Sequence, residues 1–330
     1  MQRTRRRRFL LAAAALAAAP LMRAQVRRSF RIGFGYMLLW AREPLFRQLL
    51  AELGWTYGRD YVFVDSGLPF GADLDEAARH VVAREPDVIY VPSTALALAI
   101  QKVTRTIPVV MYSSGYPVPA GVAQSLSRPG GNVTGNTAYA GTGIWGKLFQ
   151  LLGEAKPGIK RVGLLWDYLP PLFAPAEIEF GMNELRTDAL ALGLELEFAE
   201  IRDGTEVPAA LARLVAQRVD ALLVTYGPVL GPSVPRVLRF AMGKRLPTIM
   251  DSHSIPPLDP GPLLVYGAPV ADLTRRSFAY IDRILRGEKA GDLPIQQPAR
   301  FELVVNLRTA AAMGLALPQS LLARADRVIE

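Results

Sequence analysis

Hydrophobic positions alternate between two rhythms along most of the chain. Short, mostly apolar runs at 31–38, 61–64, 87–91 and 107–111, two of them opened by the charged residues Arg31 and Asp87, have the length of strands buried on both faces. Between them, apolar residues recur at helical spacing. Leu45, Phe46, Leu49, Leu50 and Leu53 follow Pro44, which suits a first helical turn, and Gly54 supplies a stop. Leu74, Ala77, Ala78, Val81 and Val82 predict a second helix that Pro86 keeps from continuing, and 93–103 a third. Strands joined by helices of this length predict right-handed crossovers and a parallel sheet.

The same order then repeats. Arg161-Val162-Gly163-Leu164 restates Arg31-Ile32-Gly33-Phe34, Asp220-Ala221-Leu222-Leu223-Val224 restates Asp87-Val88-Ile89-Tyr90-Val91, and Leu246-Pro247-Thr248-Ile249-Met250 restates Ile107-Pro108-Val109-Val110-Met111. A helix with Ile178, Met182, Leu185, Ala189 and Leu192 on one stripe and a strand at 195–201 stand in between. The fold class predicted is α/β, with two similar open lobes of mainly parallel sheets. After Met250 the rhythm changes to a Pro-rich loop, a short strand at 263–267, a long helix with Phe278, Ile281, Ile284 and Leu285 inward, a last strand at 301–306, and a short helix with a tail. The Gly- and Pro-dense stretch 113–139 reads as the place where one lobe hands over to the other. The expected division is a leader at 1–24, a first lobe at 25–141 completed by about 267–297, and a second at 142–266 completed by about 298–330, with three crossings between them.

Charge changes the picture only at the start. The formal charge of +8 includes six arginines within residues 1–24 and no acid there, so without that stretch it falls to +2. Nucleic acid is therefore not an expected partner. The basic start, the apolar run 9–22 and the small residue Ala24 read as a signal peptide, cleaved before Gln25 or kept as an anchor. Arg6-Arg7-Arg8-Phe9-Leu10 also fits a twin-arginine export signal, leaving that route and the general secretory one open. A chain without cysteine has no disulfide, thiolate metal site or cysteine nucleophile. A periplasmic, monomeric protein is expected.

Ligands of open parallel sheets lie beyond the carboxyl ends of the strands, where helix N-termini present free N–H groups. The strand exits supply the candidate ligand-binding residues Met37, Ser93, Thr94, Tyr116, Tyr139, Trp166, Tyr168, Tyr226 and Asp251. Ser93-Thr94 precedes an Ala-rich helix, so a hydroxyl caps it and the neighbouring amides could hold a ligand carboxylate. The aromatics read as interface packing or, taken together, as walls for a flat or apolar ligand. Asp167 and Asp251 sit at corresponding exits, able to take a ligand ammonium or to cap the next helix. His253 in its Pro-flanked loop and His80 in a helix read as polar surface.

Enzyme chemistry finds little here. Two histidines without cysteine leave no metal cluster, no G-x-S-x-G elbow occurs, Gly33-Phe34-Gly35 lacks the remainder of a dinucleotide fingerprint, and Gly130-Gly131 lacks the Lys-Ser/Thr of a phosphate loop. No catalytic residue, metal or cofactor is assigned. A two-lobed glycosyltransferase would share this silhouette, but an export leader separates it from cytoplasmic sugar nucleotides.

Ser125-Leu126-Ser127-Arg128-Pro129-Gly130-Gly131-Asn132-Val133-Thr134-Gly135 resembles the S-L-A-R-P-G-G-N-x-T-G signature of the ABC transporter substrate-binding proteins of tryptophan/tyrosine type. Tyr280-Ile281-Asp282-Arg283-Ile284-Leu285-Arg286-Gly287, Asp292-Leu293-Pro294-Ile295-Gln296-Gln297-Pro298, Phe301-Glu302-Leu303-Val304-Val305-Asn306-Leu307 and the closing residues 320–330 carry a second resemblance. It implies a type I periplasmic-binding fold, a small ligand enclosed by hinge closure, and delivery to an ABC permease in the inner membrane. A solute-sensing module for a signalling partner is the alternative. Two departures bear on specificity. Tyr116-Pro117 stands where the family commonly has Asp-Pro, so the ligand expected is an aromatic or apolar amino acid or, equally, an aromatic or aliphatic carboxylate, and residues 260–267 stiffen a Gly-rich loop with Pro260 and Pro262.

Overall fold

The computed structural model describes residues 29–37, 42–138, 143–167, 173–227, 229–251, 259 and 261–330. The leader, Tyr139, Tyr168 and His253 lie outside the described residues. The first sheet comprises β1 (Phe30–Phe34), β2 (Tyr61–Asp65), β3 (Val88–Val91), β4 (Val109–Ser114) and β5 (Val133–Thr137), all parallel, in the order β2-β1-β3-β4-β5. Helices α1 (Glu43–Glu52), α2 (Leu74–Val82) and α3 (Thr94–Val103) connect the first four strands. After α4 (Ile144–Ala155) comes the second sheet, with β6 (Arg161–Asp167), β7 (Glu195–Ile201), β8 (Ala221–Val224), β9 (Thr248–Met250) and β10 (Leu264–Gly267). Its parallel part runs β7-β6-β8-β9-β10, the first sheet's order over again. The connecting helices are α5 (Pro175–Ala191), α6 (Val207–Ala216) and α7 (Val234–Gly243).

The repeated sequence has a physical job at the opening of these strands. Asp87 Oδ2 accepts from the Arg31 amide at 2.7 Å, and Asp220 Oδ2 accepts from the Lys160 and Arg161 amides at 2.9 Å. In both lobes the Asp amide donates back to the arginine carbonyl at 2.8 Å. These pairs set the register of β3 on β1 and of β8 on β6.

The chain crosses between the sheets three times: after β5, after β10, and again ahead of β11 (Glu302–Asn306). Helix α8 (Val270–Leu285) returns from the second sheet to pack on β4, β5 and α1 of the first. Phe278, Ile281, Ile284 and Leu285 are all buried there, and Phe278 stacks on Phe46 at 4.7 Å. β11 then joins the second sheet antiparallel to β10, followed by α9 (Leu307–Met313), α10 (Gln319–Leu322) and β12 (Arg327–Ile329).

Three features depart from the hydrophobic pattern. β5 is a fully buried strand, although its sequence Val133-Thr134-Gly135-Asn136-Thr137 is mostly polar. Its side chains bond outward: Thr134 Oγ1 donates to the Leu293 carbonyl at 2.8 Å, and Asn136 Nδ2 donates to Ser277 Oγ and the Leu273 carbonyl of α8 at 2.8 and 3.1 Å. Helix α4 buries Trp145, Leu148, Phe149, Leu151 and Leu152 against the second lobe, and α10 and β12 close its far edge. Finally, the buried stripe of α5 is Glu177, Gly181, Leu185 and Ala189, with Ile178 and Met182 half-buried and Leu192 exposed. The first half of that helix faces the other lobe, not its own core.

Gly135 has φ +136°, and a Cβ there would lie 2.2 Å from the Met111 carbonyl oxygen of β4. Gly135→Ala is therefore expected to destabilise folding by about 3 kcal/mol or more, because backbone and not a flexible side chain is in the way. The midpoint of urea unfolding should fall with an unchanged slope.

Candidate functional site

The carboxyl ends of β3 and β4 place two short segments side by side. Ser93 begins α3, and its Oγ accepts from the Leu96 amide at 3.4 Å as the expected N-cap. Thr94 is fully buried, with its hydroxyl free of the cap. The β4 exit brings the amides of Gly115 and Tyr116 beside it. All three donors converge on one atom from the second lobe: Glu177 Oε1 accepts from the Gly115 amide at 2.7 Å, the Tyr116 amide at 2.9 Å and Thr94 Oγ1 at 3.2 Å. Glu177 is only 2% exposed. Its Oε2 turns back to accept from the Ala174 amide at 3.3 Å, closing the first turn of α5. Burial pushes its carboxyl above the usual range, and these hydrogen bonds oppose the shift without cancelling it.

The Tyr116 side chain leads away from this nest into the seam between lobes. Its ring packs on Phe180 with centroids 4.8 Å apart, and a Cβ on Gly181 would lie 2.9 Å from its Cε2. Its hydroxyl accepts from Trp145 Nε1 at 3.2 Å and interacts electrostatically with Glu184. Trp145 in turn meets Trp166, 6.3 Å away, so Tyr116 and Trp166 are linked through a third aromatic. Burial raises both the Tyr116 phenol and the Glu184 carboxyl. A small cavity of ≈ 150 Å³ opens beside them, walled by Tyr116, Pro117, Val118, Leu126 and Phe180 and bounded by Glu184, whose Oε2 is buried without a partner.

At the second lobe's exits, Asp167 is 5% exposed. Its Oδ2 accepts from the Leu230 amide at 2.8 Å, so it ties the loop after β8 instead of capping the helix that follows its own strand. Its Oδ1 has no partner, and burial raises its carboxyl. A Cβ on Gly227 would come within 2.4 Å of Oδ2, so only glycine lets that loop lie on the acid. Tyr226 is half-buried over Gly231, and Asp251 is half-buried at the exit of β9. Met37 is 47% exposed, its amide donating to the Leu68 carbonyl at 2.9 Å. His80 is on α2, where a ring nitrogen lies 3.2 Å from the carbonyl of Ser66, the first residue past β2. No group of three metal-ligating side chains occurs among the described residues.

Thr94, Tyr116 and, at one remove, Trp166 are thus brought together, while Asp167 and Tyr226 share the neighbouring loop. Glu177 escaped the sequence reading. An acid in the first turn of a helix is common on electrostatic grounds alone. The signal that could have exposed it is its spacing of four from Gly181, Leu185 and Ala189.

Comparison with known proteins decides the family. The family profile of the ABC transporter substrate binding protein matches residues 64–329, well over half the chain. The chain belongs to this family. A tyrosine-binding protein of Clostridioides difficile (strain R20291) is 26% identical over 238 residues, covering 72% of this chain and 66% of that relative. Among solved structures, a conserved domain protein from Vibrio cholerae superposes with TM-score 0.77 at 22% identity, over 91% of this chain and 100% of the other. An ABC domain in complex with L-Trp from Streptococcus pneumoniae gives 0.76 at 21% identity, with coverage of 91% and 100%. These likenesses establish the type I periplasmic-binding fold. No helix among the described residues of this substrate-binding protein is long and apolar enough to cross a membrane.

In such a protein, Gly181 lets α5 approach the Tyr116 ring. Gly181→Val is expected to penalise the docked arrangement by about 1–3 kcal/mol while leaving each lobe intact. Small-angle scattering should then give a larger radius of gyration than wild type, with unchanged far-ultraviolet circular dichroism.

Proposed function

We propose that the protein is the extracytoplasmic, monomeric solute-binding component of an ABC importer. It captures an aromatic or apolar amino acid, or a close analogue, between its lobes and delivers it to a membrane permease. The observation that carries this reading is the pair of matching parallel sheets whose strand exits share one seam, with polar groups of one lobe gripping a carboxylate of the other. The tyrosine-binding relative and the L-Trp complex support the ligand class.

Trp166 and Tyr226 serve as walls, with Met37 at the mouth. Asp251 and Asp167 are the acceptors for a ligand ammonium, Asp167 above all, because its buried Oδ1 has no donor and gains most from one. Ser93 and Thr94 shape the opposite wall from the first lobe. Hinge closure about the three crossings then presents a surface that a permease distinguishes from the open form.

A thermal-shift screen against L-tryptophan, L-tyrosine, L-phenylalanine and L-leucine tests the reading, since a ligand at about 100 times its Kd adds roughly 2.7 kcal/mol to the native state. At least one should raise Tm, bind one to one by calorimetry and be recovered unaltered. Asp167→Asn should weaken that ligand about tenfold. A panel without any shift, or turnover of the compound, would overturn the assignment.

A further inference from the structure

A backbone nest with a hydroxyl beside it suits one carboxylate, and here the chain supplies that carboxylate itself. The Gly115 and Tyr116 amides and the Thr94 hydroxyl belong to the first lobe, and Glu177 comes from the second. The Glu177 partners among the described residues are neutral donors, not a lysine or arginine. They recognise the carboxylate as a hydrogen-bond-accepting anion with directed lone pairs, which is also how they would recognise a carboxylate on a solute. Oε1 already takes all three, so the nest has no donor left over. Across the seam, in contrast, Asp167 Oδ1 is buried with nothing donating to it.

We propose that Glu177 determines ligand specificity as a tethered carboxylate: it fills the anion nest of the first lobe, so that a solute's own carboxylate enters only by displacing it and the solute is selected by its amine and apolar body. This rests on the solute-binding reading and narrows it. A tethered group competes at an effective concentration of order millimolar or above, far beyond that of a scarce free solute. Amines without a free carboxylate avoid that competition and can still satisfy an acidic acceptor in the second lobe.

The experiment compares wild type, Glu177→Ala and Glu177→Gln. Alanine empties the nest, whereas glutamine keeps an acceptor oxygen there without the charge. Since the chain has no cysteine, Val103→Cys and Leu190→Cys at exposed positions of the two lobes can carry a pair of spin labels. In Glu177→Ala the interlobe distance should lengthen, and sodium acetate, against sodium chloride at equal ionic strength, should shorten it saturably and raise Tm. Wild type and Glu177→Gln should not respond to acetate. Glu177→Asp, which withdraws the carboxylate by one methylene, provides the same contrast if the alanine variant does not fold.

Calorimetry with L-tyrosine and tyramine reads the selectivity. The ratio of their affinities should move toward tyrosine by about tenfold or more in Glu177→Ala. An acetate response equal in all variants overturns the assignment of the nest, and an unchanged tyrosine-to-tyramine ratio in a variant that takes acetate overturns the selectivity. If wild type binds neither aromatic compound, the amino-acid reading of the ligand fails, while the acetate comparison still decides the role of Glu177.

Discussion

A carboxylate taken out of water between two lobes must find donors or lose its charge. Glu177 meets this condition because three of its four donors come from the other lobe, the fourth being the Ala174 amide of its own first turn, so its own lobe alone cannot keep both oxygens satisfied. Charge-assisted hydrogen bonds contribute roughly 1.5–3 kcal/mol each, against a burial penalty of several kcal/mol for the ion. The raised carboxyl shows that the penalty is not fully offset. A group whose value is raised on docking holds its proton more tightly when docked. Docking is therefore favoured most below the ordinary carboxylate range and loses that contribution as pH rises through the raised value. The result is a latch of modest strength. A latch of that kind suits a protein whose open and closed forms must lie within reach of one ligand's differential affinity.

The two sheets were legible because strands buried on both faces leave continuous apolar runs, and because the Asp87 and Asp220 openings repeat a bonding pattern along with a sequence. Helix α8 was legible from its inward residues Phe278, Ile281, Ile284 and Leu285. β5 was not, since its side chains are buried by hydrogen bonding to α8 and to residues near 293, which no local pattern records. The site was legible in part. Strand exits mark the loops that end at the seam of two open sheets, so Thr94, Tyr116 and Trp166 could be named as candidates there. What occupies the space between those loops depends on contacts between distant segments. An apolar period on α5 pointed to Ile178 and Met182, whereas the stripe that meets the other lobe carries Glu177 and Gly181.

Tyr116 ties these points together. The resemblance led to an expectation of Asp-Pro at 116–117, and the chain has a phenol there instead. In the folded protein a carboxylate nevertheless stands at that spot, because Glu177 reaches over and accepts the Tyr116 amide. The acid is supplied by α5 of the second lobe and not by the β4 exit of the first. The phenol, relieved of contact with the nest, turns to Trp145, Phe180 and Glu184 and needs the glycine at 181 to fit. An acid on the first lobe would sit in the cleft whether the lobes were docked or apart. An acid on the second reaches the nest only on docking, so here the side chain that restricts the ligand is also one that joins the two lobes.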